Sequence, residues 1–376
     1  MRKIQLCLCC LLTILISNGC SSKKDTVTLE KYSMTSTSLG FDTVVMFTAY
    51  AKDEHTYKQY EQILQDEFKR YDKLFDKYHN YDGINNIKTI NDHAGDKPIK
   101  VDEPIMELLK QSKEYDALSN HQFSVTMGAV LDLWHDAREA AEKNPKNATI
   151  PSKKALQQAN TYTGWEHVEL DEKASTVYIN NSHTQLDVGA IAKGYAVEKV
   201  AQKLEKAGLK HAIINGGGNV RLIGAKPDGS AWNVGLQIPN YDTLSSASLA
   251  SISINESSSF VTSGDYQRYY TYKGQIMHHI IDPSTLMPAK HCRSVTVITK
   301  DGGIADMLST TLYTVSHAEG EKILAKIRKE KGISVEAIWV YDDTIAPEDD
   351  TATISSHGYQ LVMSEGAERI DRKSVV

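Results

Sequence analysis

Residues 182–220, "SHTQLDVGAIAKGYAVEKVAQKLEKAGLKHAIINGGGNV", constrain the fold more than any other stretch. They read as a strand, a tight turn, a helix over residues 190–207, a helix stop at Gly208, a second strand and a glycine loop. Within that helix Ile191, Tyr195, Val197, Val200 and Leu204 recur at three- and four-residue spacing and mark a buried face. After Trp232 the pattern turns to short strands: "WNVGLQI", "LASISIN", "SSFVTSGDYQRYYTYKGQIMHHIID" and "RSVTVIT". Two helices follow, over residues 305–315 and 317–331, the second opened by Ser316 and Glu319 in capping-box spacing. Upstream, residues 39–50 read as a strand and 54–78 as a long amphipathic helix. Residues 79–101 are loop-like in Asn, Asp and Gly, and 103–117 return to helix with Pro104 in the first turn. A helix ending near Lys143 and another starting at Ser152 flank a second loop. Helix-strand units mixed with β-meanders in 376 residues predict an α+β fold, not a doubly wound sheet.

The first twenty residues follow a different rule. Arg2 and Lys3 precede an uncharged run over residues 4–16, and small or polar residues lead to Cys20, the pattern of a secretory signal. "ISNGC" resembles a bacterial lipobox, with Ser17 where an aliphatic residue is usual; cleavage there makes Cys20 the lipidated first residue, the alternative being a plain signal cut near Gly19. The expected organisation is a signal peptide over 1–19, Cys20 with a flexible polar linker to 35, and one folded domain over 36–376. Cys7, Cys9 and Cys10 fall in the removed segment, which leaves Cys292 alone in the folded part and no disulfide framework. Losing Arg2 and Lys3 takes the formal net charge from −6 to −8. A chain this acidic, without a basic block, lacks the surface that binds nucleic acid. No later stretch has the apolar length of a transmembrane helix.

Five short stretches carry potential chemistry. In "DVGAIAKG", residues 187–194, a strand ends and a helix opens, so free N–H groups, the helix dipole and Lys193 offer a place for a phosphate; the alternative is a solvated lysine. In "INGGGNV", residues 214–220, the glycines permit close approach to a ligand, or form only a hairpin loop. In "ADMLSTTLY", Asp306 and Thr310 stand four apart on one helix face and offer hard oxygens suited to Mg²⁺, or Asp306 is simply a first-turn acid favoured by the dipole. In "HHIIDPSTLMPA", adjacent histidines on a strand point to opposite faces, which argues against a shared zinc and leaves one of them free to act as a base. Asp282 there suits a turn. "TSGDYQRYY" reads as an ordinary turn and strand.

Taken in order, "DVGAIAKG", "INGGGN", "SGDY", "HIIDP" and "DMLST" resemble the motifs of the FAD:protein FMN transferases, the ApbE family, and "FSVTMGAVLDLW" resembles its upstream segment. The resemblance implies a single T-fold-like domain of mixed or antiparallel sheets flanked by helices, with an FAD cleft between two lobes. It implies an exported lipoprotein, anchored in the membrane and facing the periplasm, that cleaves FAD with Mg²⁺ and joins FMN through a phosphoester to a Ser or Thr of a target protein. Such targets are subunits of membrane redox complexes, the sodium-pumping NADH:quinone oxidoreductase and its Rnf relatives. Carried onto this chain, it implies that Asp187 and Lys193 contact FAD, and that the Ala190 carbonyl, Asp306 and Thr310 hold Mg²⁺. His279 then lies at the reacting phosphate as the base, with Asp282 the other candidate, while Leu39, Tyr78, Gln122, Phe123, Ser124, Gly216, Gly217 and Ile280 contribute to the flavin site.

Two positions depart from the family pattern. Leu286 stands where Gly is usual after Thr285, so that turn is expected to do without a glycine φ angle, and Glu198 replaces Asp on what is expected to be a helix surface. The chemistry agrees with the likeness, because breaking a phosphoanhydride needs a metal, a lysine and backbone N–H groups against developing negative charge. The rival readings are an Mg²⁺-dependent FAD pyrophosphatase releasing FMN and AMP, and a non-catalytic FAD-binding lipoprotein.

Overall fold

Strands that are apolar at every position need a cover on both faces, and this requirement organises the molecule. The structure, a computed structural model, describes residues 28–241, 248–347 and 353–367. Cys20 and the signal segment lie outside the described residues. The central sheet has nine strands in the order β1 (Glu30–Ser36), β2 (Val45–Ala51), β6 (Ala212–Gly216), β7 (Asn219–Ile223), β10 (Ser258–Gly264), β13 (Ser294–Thr299), β14 (Val335–Tyr341), β16 (Tyr359–Met363) and β15 (Ile354–Ser356). All its ladders are antiparallel. Smaller sheets pair β3 (Ile99–Lys100) and β4 (Val168–Asp171) with β5 (Thr176–Ile179), β8 (Trp232–Gln237) with β9 (Ser248–Ile254), and β11 (Tyr269–Tyr272) with β12 (Gln275–His278). The helices are α1 (Glu54–Phe75), α2 (Ile87–Asp92), α3 (Glu103–Leu118), α4 (Gly128–Lys143), α5 (Lys153–Asn160), α6 (Ala192–Lys206), α7 (Gly302–Tyr313) and α8 (His317–Lys331). The fold is α+β, as expected.

Alternation along single strands shows how the layers form. Val261, Val297 and Ala337 join the main core with α1, α3, α6, α7 and α8, whereas their neighbours Phe260, Ile298 and Ile338 join a second cluster capped by Trp232, Val234 and Leu249 of β8 and β9. A third cluster, Trp134, Leu156, Tyr270, Met277 and Leu286, binds α4 and α5 to the β11–β12 hairpin and stands apart from the sheet. The cleft lies beside this third cluster.

Several local expectations are corrected. Residues 30–35, read as linker, belong to β1, whose exchange of backbone hydrogen bonds with β2 outweighs its polar composition. Residues 39–44 are not strand: Gly40, Phe41 and Asp42 take φ of 102°, 57° and 47°, and the Asp72 carboxylate holds the turn by accepting from the Phe41 N–H at 2.6 Å. Helix α1 stops at Phe75, short of residue 78, with Asp76 extended. Within the Asn-rich loop, Asn86 and Thr89 build a reciprocal capping box that starts α2. Glu198 is buried, not on a surface: it receives Arg221 Nε at 2.8 Å and the Gly302 N–H at 3.1 Å, tying α6 to β7 and α7. Leu286 does adopt a left-handed φ of 61°, held by burial and by the Trp134 indole donating to its carbonyl at 3.0 Å.

Helices α6 and α7 meet backbone to backbone at Gly194 and Gly302. A methyl at Gly194 would stand 2.2 Å from the Gly302 carbonyl oxygen and 2.5 Å from Asp306 Cβ. Alanine normally gains up to about 1 kcal/mol over glycine inside a helix. Here the clash decides the sign: Gly194→Ala is expected to lower stability by about 1–3 kcal/mol, read from the midpoint of urea unfolding. An unchanged midpoint would mean that the two helices separate freely.

Candidate active site

The N-terminus of α6, the second turn of α7, the end of β10 and the β11–β12 hairpin converge on one cavity of about 510 Å³, within the range of roughly 300–1,000 Å³ usual for small-molecule sites. Asp187, Ala190, Lys193, Tyr78, Gln122, Phe123, Ser124, His279, Ile280, Asp306 and Thr310 all line it, although they span more than two hundred positions of the chain.

Hard oxygens gather where α6 begins. Its N-cap, Ile191, has no side chain to satisfy the helix start. Asp306 supplies that function from α7: its Oδ2 accepts the Gly194 N–H at 2.7 Å. Gly194 is the third residue of the helix, so its N–H has no acceptor within α6 and the carboxylate satisfies it, while Ala190, just before the helix, lines the cavity. Asp306 is 6% exposed, and burial raises its carboxyl to about 6 against the opposing pull of Lys193 and the Gly194 N–H. Thr310, one turn on, presents its hydroxyl 3.4 Å from Ser263 Oγ. Helix α7 opens at Gly302 with Asp301 as its cap, so Asp306 sits in the second turn and the first-turn dipole argument does not account for it. A carboxylate oxygen, the Ala190 carbonyl and a hydroxyl suit Mg²⁺ chemically. Among the described residues no group of three His, Cys, Asp or Glu side chains has the arrangement of a metal cluster, so an ion here would rest on this mixed set.

Lys193, in the first turn of α6, extends into the cavity without an ion pair among the described residues. Burial pushes its ammonium down, Asp306 pushes it up and Arg268 down again. Asp187 behaves oppositely. Burial would raise its carboxyl, but Lys77 at 2.7 Å, together with the Gly189 N–H at 2.9 Å, holds it below the usual carboxylate range. Lys77 also reaches Asp132 at 2.6 Å and so ties α4 to the loop after α1.

The two histidines separate cleanly. His278 is buried, its Nε2 donates to the Ala289 carbonyl at 2.8 Å and its Nδ1 accepts the Ile280 N–H at 3.2 Å, so both nitrogens are committed to structure. His279 faces the cavity. Its Nδ1 lies 3.2 Å from the Arg268 carbonyl, which can only accept, so Nδ1 carries the proton and Nε2 keeps a lone pair. His279 is exposed where it lines the cavity; desolvation by the protein around the ring, then His278, Arg268 and Lys193, lower its pKa, which favours the neutral form.

Four expected site residues do not line the cavity. Gly216 ends β6, and Gly217 with Gly218 makes the two-residue turn of the β6–β7 hairpin: Gly217 has φ 63° and donates to the Val44 carbonyl at 3.1 Å, and a methyl there would lie 1.7 Å from Thr43 Oγ1. Asn219, the next side chain, borders the cavity in their place. Leu39 is packed in the main core, and its neighbours Gly40 and Phe41 form the wall. Asp282 is consumed by its turn, accepting from Ser284 N–H at 2.8 Å, Ser284 Oγ at 2.7 Å and Thr285 Oγ1 at 2.9 Å. Sequence reasoning missed Lys77, His135, Arg138 and Arg268, all on the cavity wall. Only Arg268 carried a signal, as a basic residue two positions after the "SGDY" stretch.

Comparison with known proteins follows the same residues. The model of the ApbE family matches residues 41–335. A FAD:protein FMN transferase of Klebsiella pneumoniae is 31% identical over 279 residues, covering 73% of this chain and 82% of the relative. One of Treponema pallidum is 30% identical over 271 residues, covering 68% and 71%. Among solved structures, an ApbE protein of Thermotoga maritima superposes with a TM-score of 0.73 at 26% identity, over 91% of this chain and 100% of that one. The flavin transferase ApbE of Vibrio cholerae, at 21% identity, shares the fold with a TM-score of 0.67 over 92% and 100%.

Proposed function

This chain belongs to the ApbE family and is a FAD:protein FMN transferase; from that premise we propose that it splits FAD at the diphosphate with Mg²⁺, releases AMP, and joins FMN to a Ser or Thr of a membrane redox-complex subunit of the Nqr or Rnf type. The observation that carries the reading is the meeting of Asp306, Thr310, the Ala190 carbonyl, Lys193 and a neutral His279 around one cavity. Asp306, Thr310 and the Ala190 carbonyl would hold Mg²⁺, which when bound supplies Lewis-acid neutralisation of diphosphate charge. Lys193 adds a fixed positive charge from the α6 N-terminus. His279 Nε2 takes the proton of the acceptor hydroxyl; the acceptor oxygen bonds to the FMN phosphorus as the bridging P–O bond breaks, and that electron pair leaves on AMP. Asp187, kept ionised by Lys77, accepts hydrogen bonds from the flavin nucleotide.

Incubation of the protein with FAD, Mg²⁺ and a candidate acceptor domain, followed by acceptor mass, tests this. A covalent FMN increment supports transfer; free FMN and AMP with an unmodified acceptor would leave only hydrolysis. Location belongs to the same proposal: the basic pair Arg2 and Lys3, the uncharged run after them and Cys20 support export and lipidation facing the periplasm at the inner membrane. Among the described residues no helix is long and apolar enough to cross a membrane.

Proton and metal compete for Asp306. With its carboxyl at about 6 in the metal-free protein, the affinity for Mg²⁺ is expected to rise about tenfold per pH unit below that value and to level off above it. Titrating Mg²⁺ calorimetrically between pH 5 and 8 reads this directly, and a flat profile would remove Asp306 from the ligand set.

A further inference from the structure

Arg268 does two things at once. Its main-chain carbonyl accepts both the backbone N–H and the ring Nδ1–H of His279, each at 3.2 Å, so the segment that carries this arginine also fixes the tautomer of the base. Its side chain is exposed, lines the cavity, and makes no hydrogen bond or ion pair among the described residues. The other cavity cation of similar standing, Lys193, lies near enough for the two positive charges to oppose each other. Lys193 has the Asp306 carboxylate near it, but Arg268 faces the cavity with no ion pair among the described residues, and a cation so placed is stabilised by an anion.

We propose that Arg268 is a substrate-binding residue that clamps the phosphoryl group transferred from FAD, on the side of the cavity where His279 stands. The inference rests on the transferase reading and deepens it. A planar guanidinium presents parallel N–H donors that match two oxygens of one phosphoryl group, which the point charge of Lys193 does not. Because the Arg268 carbonyl orients His279, seating a phosphate on its guanidinium places the phosphorus within reach of the base without a separate positioning element.

Binding of inorganic pyrophosphate to the full chain, measured by calorimetry with Mg²⁺ present, tests the clamp without an acceptor or turnover. Arg268→Gln is expected to weaken pyrophosphate and FAD binding about 10- to 100-fold, the range for a lost charge-assisted pair. Arg268→Lys should fall between, since it restores charge but not the fork. Thermal melting should be unmoved, because the side chain supports nothing else. In steady state the loss should appear in KM for FAD at least as strongly as in kcat. Unchanged pyrophosphate and FAD affinity in Arg268→Gln with a drop in kcat alone would overturn the proposal in favour of a role through His279 placement, and so would a wild-type protein that binds no pyrophosphate. A wild type that binds pyrophosphate through Arg268 yet never modifies an acceptor would instead refute the transferase reading and leave the clamp standing.

Discussion

Asp306→Ala is expected to abolish FMN transfer, with a loss of about 10³-fold or more, and to abolish FAD hydrolysis with it. The side chain serves two partners: one oxygen caps α6 through Gly194, and the other is the only carboxylate oxygen proposed for the metal. Stability should move the other way. An acid whose folded pKa is raised by burial favours the folded state below its unfolded value, and that contribution is lost as pH rises through about 6. Asp306→Asn removes the ionisation while its amide oxygen still accepts from Gly194. In the metal-free protein it should therefore melt at an equal or higher temperature at pH 8, and the advantage should vanish near pH 4. Activity lost together with stability gained marks a residue kept for function. Acceptor mass and thermal melting on the same preparation read both, and full activity of Asp306→Ala in the presence of EDTA would contradict the metal assignment.

The second large effect is at His279. His279→Ala is expected to cost about 10²–10⁴-fold in transfer, the usual range for removing a general base. Asp282→Asn should cost almost nothing in the chemical step, because that carboxylate is spent on Ser284 and Thr285 and does not border the cavity. The pair of variants therefore decides between the two bases that the sequence left open. Since desolvation and the nearby charges of Arg268 and Lys193 lower the pKa of His279, the acid limb of transfer at saturating Mg²⁺ should lie below 6.5, where a free imidazole titrates. A limb at 6.5 that disappears in the variant would show that the imidazole is solvated during turnover.

How much of this was legible depended on whether a residue's role is local. The helix over residues 192–206, the Ser316 cap and the turn at Asp282 follow from neighbours within four positions, and their sequence signals hold. The motif residues Lys193, His279, Asp306 and Thr310 were legible as chemistry, and the cavity joins them. Leu39, Gly216 and Gly217 were misassigned because a glycine that permits a ligand's approach and one that permits a hairpin look alike in sequence; Thr43 Oγ1, against which Gly217 packs, is more than 170 positions away. Glu198 was placed on a surface for the same reason, since Arg221 and Gly302 are not its neighbours in the chain.

By itself, then, the sequence determined the periodicity of α1 and α6, the both-sided apolar strands that demand a layered α+β core, and the set of oxygen and nitrogen groups fit for diphosphate chemistry. Only the tertiary structure decided which of those groups face one another. Backbone hydrogen bonds and hydrophobic spacing act over a few residues, but the Gly194 N–H meets Asp306 only because two glycines let α6 and α7 touch, and the free nitrogen of His279 is Nε2 because the Arg268 carbonyl is folded against Nδ1.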